Sequence, residues 1–108
     1  MRWVLFLKNL NLNMRINRSP LYLANLYFIL EYIAKDKISA SKNFHKELDK
    51  LINNIPNYPY KHRQSIYFND IEIRDLIYKG YTVVYRICED KQSIEVLRIF
   101  NKNQPPID

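Results

Sequence analysis

RQSIYFNDIEIRDLIYKGYTVVYRICEDKQSIEVLRIFNKN, residues Arg63 to Asn103, decides the fold of this chain, because it reads as three short strands joined by two tight turns. Tyr81, Val83, Tyr85 and Ile87 alternate with Thr82, Val84, Arg86 and Cys88, a period of two rich in β-branched and aromatic residues, which predicts a strand. Lys79-Gly80 sits just before it and holds the only glycine in the chain. A two-residue hairpin turn needs a positive φ there, so Gly80 is turn punctuation rather than phosphate chemistry. This turn places Tyr78 opposite Tyr81, Asp75 opposite Val84 and Arg74 opposite Tyr85. The polar run Glu89-Asp90-Lys91-Gln92 makes the second turn, and Ser93 to Phe100 returns as another half-apolar strand.

Upstream, Ser19-Pro20 has the form of an N-cap followed by proline at the first helical position, where the missing N–H is no loss. Leu23, Leu26, Tyr27, Leu30, Ile33 and Ala34 then recur at steps of three and four, predicting a helix that ends near Lys35. Asp36 is placed to cap a second helix, along which Ala40, Phe44, Leu48, Leu51, Ile52 and Ile55 keep helical spacing until Pro56 stops it. So short a connection predicts an antiparallel helical hairpin. Met14 to Arg18 reads as a first strand, and Ile55 to Tyr60, with Pro56 and Pro59, as an irregular crossing. The expected fold is α+β: an N-terminal strand, then an antiparallel helical hairpin packed on one face of a small antiparallel sheet, with the other face partly open. Residues 14–106 form the domain. Residues 1–13 are an extension with two readings: an added element that packs through Trp3, Leu5 and Leu7, or an appendage with little structure, the second being favoured.

With 108 residues, 47% hydrophobic and 14% aromatic, the chain is one folded domain rather than a disordered or repetitive one. A formal net charge of +6 points to an acidic partner, either nucleic acid or a protein with an acidic segment. The single cysteine, Cys88, cannot form an internal disulfide, and it reads as a buried thiol in a reducing cytoplasm. Trp3 to Leu7 is too short for a signal-peptide core, and no stretch approaches the ~20 apolar residues of a membrane span. His45, His62 and Cys88 lack metal-ligand spacing, so neither a metal nor a cofactor is expected.

Four pieces in order, LANLYFILEYIAKD (residues 23–36), FHKELDKLINNIPNYPYKHRQS (44–65), IRDLIYKGYTVVYRI (73–87) and IEVLRIFNKNQ (94–104), resemble the RelE/ParE superfamily of toxins from bacterial type II toxin-antitoxin systems. The resemblance implies a small basic cytoplasmic protein paired with an antitoxin whose acidic, poorly ordered segment wraps around it. The superfamily divides into ribosome-dependent mRNA endonucleases of RelE type and ParE-type inhibitors of DNA gyrase. Metal-free RNA cleavage needs a group to activate the ribose 2′-hydroxyl, cations for the phosphate and a proton donor for the leaving oxygen. The strand positions at which the RelE branch carries cations fall here on or near Ile73, Asp75 and Thr82, none of them basic. Lys102 answers for the tail cation, but no Tyr or His follows it. GYTVVYRI followed by LRIFNKNQ, with Arg86 directly after the strand tyrosine, looks more like the ParE branch. The expected function is therefore a ParE-like toxin acting on DNA gyrase and neutralised by a cognate acidic antitoxin. The alternatives are an mRNA endonuclease at the ribosome, with Lys102 as its catalytic cation, and a non-toxic relative retained for antitoxin binding.

Five cations are the candidate target- or antitoxin-binding residues: Arg63, Arg74, Arg86, Arg98 and Lys102. The hairpin register puts Arg86 on the opposite face from Arg74, unless a one-residue bulge reverses it. Arg86 and Arg98 either share a partner surface, are solvated, or leave Arg86 paired with Glu95 across the strands. Arg63 stands where this superfamily commonly carries an arginine, and it is expected to tie the irregular loop to backbone carbonyls. Tyr81 and Tyr85 point inward and read as core, and His45 as an exposed imidazole.

Overall fold

A computed structural model describes residues 14–103. The element order is β1 (Arg15–Arg18), α1 (Pro20–Asp36), α2 (Ile38–Asn53), a single 3-10 turn (Ile55–Asn57), β2 (Arg63–Gln64), β3 (Ile73–Tyr78), β4 (Tyr81–Cys88) and β5 (Ser93–Asn101). The strands form one five-stranded sheet in the order β1-β5-β4-β3-β2. The expected α+β architecture is present, with the helical hairpin on one sheet face. Residues 1–13, read as an extension, lie outside the described residues.

Ser19 starts α1 as the sequence predicts. Its hydroxyl oxygen accepts the Tyr22 N–H at 3.0 Å and donates to the Leu97 carbonyl at 2.7 Å, so the same side chain caps the helix and fastens it to β5. The buried line of α1 is Tyr22 and Leu26, with Ile29, Leu30 and Ile33 partly buried beside it. Leu23 and Tyr27, assigned to the core by spacing, are 50% and 60% exposed. This helix is apolar on more than one side, so two stripes offset by one residue satisfy the same period, and only packing selects between them.

Asp36 does not cap the second helix. It is the last residue of α1, the lone linker Lys37 occupies the cap position, and no side chain supplies a capping bond there. The hairpin is fastened instead by Ser41, whose hydroxyl donates to the Leu30 carbonyl at 2.7 Å. From α2, Phe44, Leu48 and Ile52 enter the core, while Ala40 and Leu51 remain exposed. Complete burial of Leu48 and Ile52 stabilises the fold by about 1.5–3 kcal/mol each.

The β3–β4 hairpin has the predicted register, with Tyr78 opposite Tyr81, Asp75 opposite Val84 and Arg74 opposite Tyr85. Lys79 and Gly80 both have positive φ, 48° and 83°, as a type I′ turn requires. Val83, Tyr85 and Ile87 project from β4 toward the helices and meet Leu76, Ile94 and Ile99 in the core. Between β4 and β5 the register shifts at Val84/Tyr85, leaving Leu97 unmatched in a bulge. β1 runs parallel to β5 while every other pairing is antiparallel. The two helices between β1 and the rest of the sheet are the crossover that a parallel pair needs.

The second sheet face is less open than its sequence suggests. Thr82 and Val84 are fully buried there, along with Ile73 and Asp75. The chain between β2 and β3 folds back over them. The Ile66 N–H donates to Asp75 Oδ2 at 3.2 Å, and the Tyr67 ring meets the Phe100 ring edge-on with centroids 5.1 Å apart. Residues 65–72 thus form a strap across this face.

Candidate functional site

Pairing across the sheet sets the geometry of the candidate cations. Arg63, Asp75, Val84 and Arg98 form one row on four adjacent strands, and Ile73, Arg86, Glu95 and Asn17 form the next on the same face. With strands ~4.8 Å apart, Arg63 and Arg98 start ~14 Å from each other. The bulge at Leu97 lies between the Arg98 and Glu95 rows, so Arg98 keeps the face of Val84 and Arg86. The fold therefore gathers Arg63, Arg86 and Arg98 on the strapped face.

Arg74 is excluded from that group, as its register with Tyr85 predicts. Its Nε donates to the Ile71 carbonyl at 2.8 Å, its Nη1 to the His62 carbonyl at 3.1 Å, and its guanidinium lies 4.8 Å from the centre of the Tyr60 ring. Arg74 thus ties the irregular loop to backbone carbonyls, the role expected of Arg63. Arg63 instead reaches a carboxylate, with Nη2 3.4 Å from Oδ2 of the buried Asp75. Lys102 stands beyond the end of β5, exposed, where its backbone N–H donates to the Gly80 carbonyl at 2.8 Å.

Arg86 pairs in register with Glu95 but bonds elsewhere. Its Nη1 lies 3.1 Å from Asp70 Oδ2 in the strap, while Glu95 accepts the Asn17 Nδ2 at 2.7 Å. The Asp70 carboxyl is held below its usual range, first by the Glu72 N–H donated to its Oδ1 at 2.9 Å and then by Arg86. The face is consequently a mixed one, in which Asp70 and Asp75 offset part of the positive charge. No local pattern marks both of these acids as anchors. A signal existed in Asn69-Asp70, a turn-forming pair placed just before a strand.

Ile73, Asp75 and Thr82, on or near which the resemblance puts the strand cations of the RelE branch, all lie on this face and are at most 3% exposed. Tyr85 is fully buried, and its hydroxyl donates to the Pro59 carbonyl at 2.6 Å. Burial pushes its pKa up, so it stays a neutral donor in the core. Tyr81 is half-buried against Phe44, with ring centroids 5.4 Å apart. Cys88 is half-buried rather than buried, and His45 is exposed. Among the described residues no group of three His, Cys, Asp or Glu side chains is placed to hold a metal ion. No described helix is long and apolar enough to cross a membrane.

The family model described as "ParE toxin of type II toxin-antitoxin system, parDE" matches residues 16–106. A solved structure described as the chromosomal ParDE TA system from P. aeruginosa shares the fold with a TM-score of 0.65 and 13% sequence identity, covering 82% of this chain and 95% of that one. Among curated proteins, none matches the sequence.

Proposed function

This chain belongs to the ParE toxin family of type II toxin-antitoxin systems, and we propose that it acts in the cytoplasm by binding and inhibiting DNA gyrase, until a cognate antitoxin with an acidic segment neutralises it. In this reading it is a binding protein that cuts no RNA. The observation that carries the reading is the burial of Ile73, Asp75 and Thr82. A strand face that stabilised a cleaving phosphate would present cations to it, and the resemblance puts those of the RelE branch on or near these positions. This chain places two uncharged side chains and a carboxylate there, beneath a strap. Arg63, Arg86 and Arg98 remain on that face as the contact residues for target or antitoxin, with Lys102 exposed beyond the end of β5.

The test is induced expression of the full chain with separate readouts of protein synthesis and plasmid supercoiling, repeated with the purified chain and purified gyrase. Loss of supercoiling while translation continues supports the proposal. Immediate translation arrest with cut mRNA overturns it in favour of the ribosome-dependent nuclease, and loss of that arrest in Lys102→Glu would identify the tail cation. A chain that harms neither process yet binds the antitoxin is a non-toxic relative.

A further inference from the structure

Arg63 and Arg86 are each answered by a carboxylate of the same chain, but the two pairs differ in how firmly they are held. Arg63 Nη2 lies 3.4 Å from Oδ2 of Asp75, whose side chain is completely buried, so no outside group can take that place. Arg86 Nη1 lies 3.1 Å from Asp70 Oδ2, with the two side chains 41% and 37% exposed. An ion pair in that much contact with water contributes little and exchanges partners readily. Glu95, opposite Arg86 in register, does not compete for it, because it accepts the Asn17 Nδ2 at 2.7 Å.

Asp70 also keeps its place without Arg86. Its Oδ1 accepts the Glu72 N–H at 2.9 Å and its backbone carbonyl accepts the Ile73 N–H at 3.1 Å, a turn closed by neighbouring residues. The rest of the strap is lightly fastened. Ile66 and Ile71 turn outward, 65% and 63% exposed, and so add little apolar burial to it. Beneath it, Asp75 Oδ1 and Thr82 Oγ1 are buried with no hydrogen-bond partner among the described residues, which weakens the covered arrangement. The strap thus sets an exchangeable carboxylate on an arginine and carries exposed apolar side chains on the same short segment.

We propose that Asp70 is an internal latch: it occupies Arg86 in the free chain, and a carboxylate of an acidic peptide segment takes Arg86 from it on binding. The inference rests on the reading of Arg86 as a contact residue and adds how that contact is regulated. A carboxylate suits the place better than a phosphate, because the group already seated on Arg86 is a carboxylate and Ile66 and Ile71 offer contacts to a peptide's apolar side chains.

The probe is an oligoglutamate peptide, titrated into the purified full chain at low ionic strength, where surface charge is least screened, with the Arg86 Nε–H resonance followed by NMR. Asp70→Asn keeps an oxygen for the Glu72 N–H and gives up the charge, so it binds the peptide several-fold more tightly than the unaltered chain. Asp70→Ser, which also accepts in such a turn, serves if the asparagine variant is unstable. Asp36→Asn, the same charge change at the exposed end of α1, gives a smaller gain. In an Arg86→Gln background, Asp70→Asn gives none. Equal gains from Asp70→Asn and Asp36→Asn overturn the proposal, as do a gain that survives Arg86→Gln and a failure of the peptide to bind the Asp70 variants at all. An Arg86-dependent gain for oligothymidine but not for the peptide overturns it too, since the latch then guards a nucleic-acid contact. The titrations need neither gyrase nor antitoxin, so the latch and the toxin reading fail separately.

Discussion

Tyr85 spans the core from β4 to the Pro59 carbonyl, and His62 stands edge-on to its ring at 6.1 Å. Tyr85→Phe keeps the ring but leaves that carbonyl without its donor, which costs about 1–2 kcal/mol in urea denaturation. His62 carries a pH dependence. Burial, and secondarily Lys61, lowers its pKa from the ordinary 6.5, so the folded state binds the proton more weakly than the unfolded one. The resulting stability is complete above about pH 6.5 and declines as the pH falls through the lowered folded value. Melting temperature followed between about pH 5 and 8 therefore drops on the acid side, and His62→Gln flattens that slope. At this scale the candidate site was half legible. The opposite face of Arg74 followed from the hairpin register that the sequence sets. The partners of the other two arginines did not, because Arg63 finds Asp75, and Arg86 finds Asp70, through a strap whose path no local pattern encodes.

The hairpin and the strap are governed by different physics. Lys79-Gly80 is a local steric device, and a Cβ added at Gly80 meets no atom within 4 Å. Gly80→Ala therefore costs only the strain of φ 83°, about 1 kcal/mol, read as a lowered denaturation midpoint with unchanged register. The strap is held by long-range anchors. Asp75→Ala removes the acceptor for the Ile66 N–H and the partner of Arg63. Amide exchange at Ile66 should rise steeply in that variant while the β3–β4 amides stay protected. Equal acceleration in both would show that the strap and the hairpin open as one unit. The helix boundaries divide in the same way. Ser19-Pro20 set the start of α1 through adjacent residues, whereas the junction at Lys37 was fixed by how the two helices pack.

For the whole molecule, a net charge of +6 makes association with the proposed acidic antitoxin salt-sensitive. The on-rate should fall by about tenfold or more from low to physiological ionic strength, with a smaller change in off-rate, as stopped-flow measurements can separate. An on-rate indifferent to salt would mean that apolar contacts, not the cations, guide the encounter. The sequence by itself determined the class and order of elements, the hairpin register and the start of the first helix. These depend on sterics and periodicity within a few residues, which the chain states directly. Tertiary structure alone decided which side of α1 is buried, the parallel direction of β1, the strap over the second face and the partners of the arginines. Those outcomes join residues far apart in sequence, 16 positions for Asp70 and Arg86 and 78 for Asn17 and Glu95. Each is settled by the competition among segments for the same buried surface.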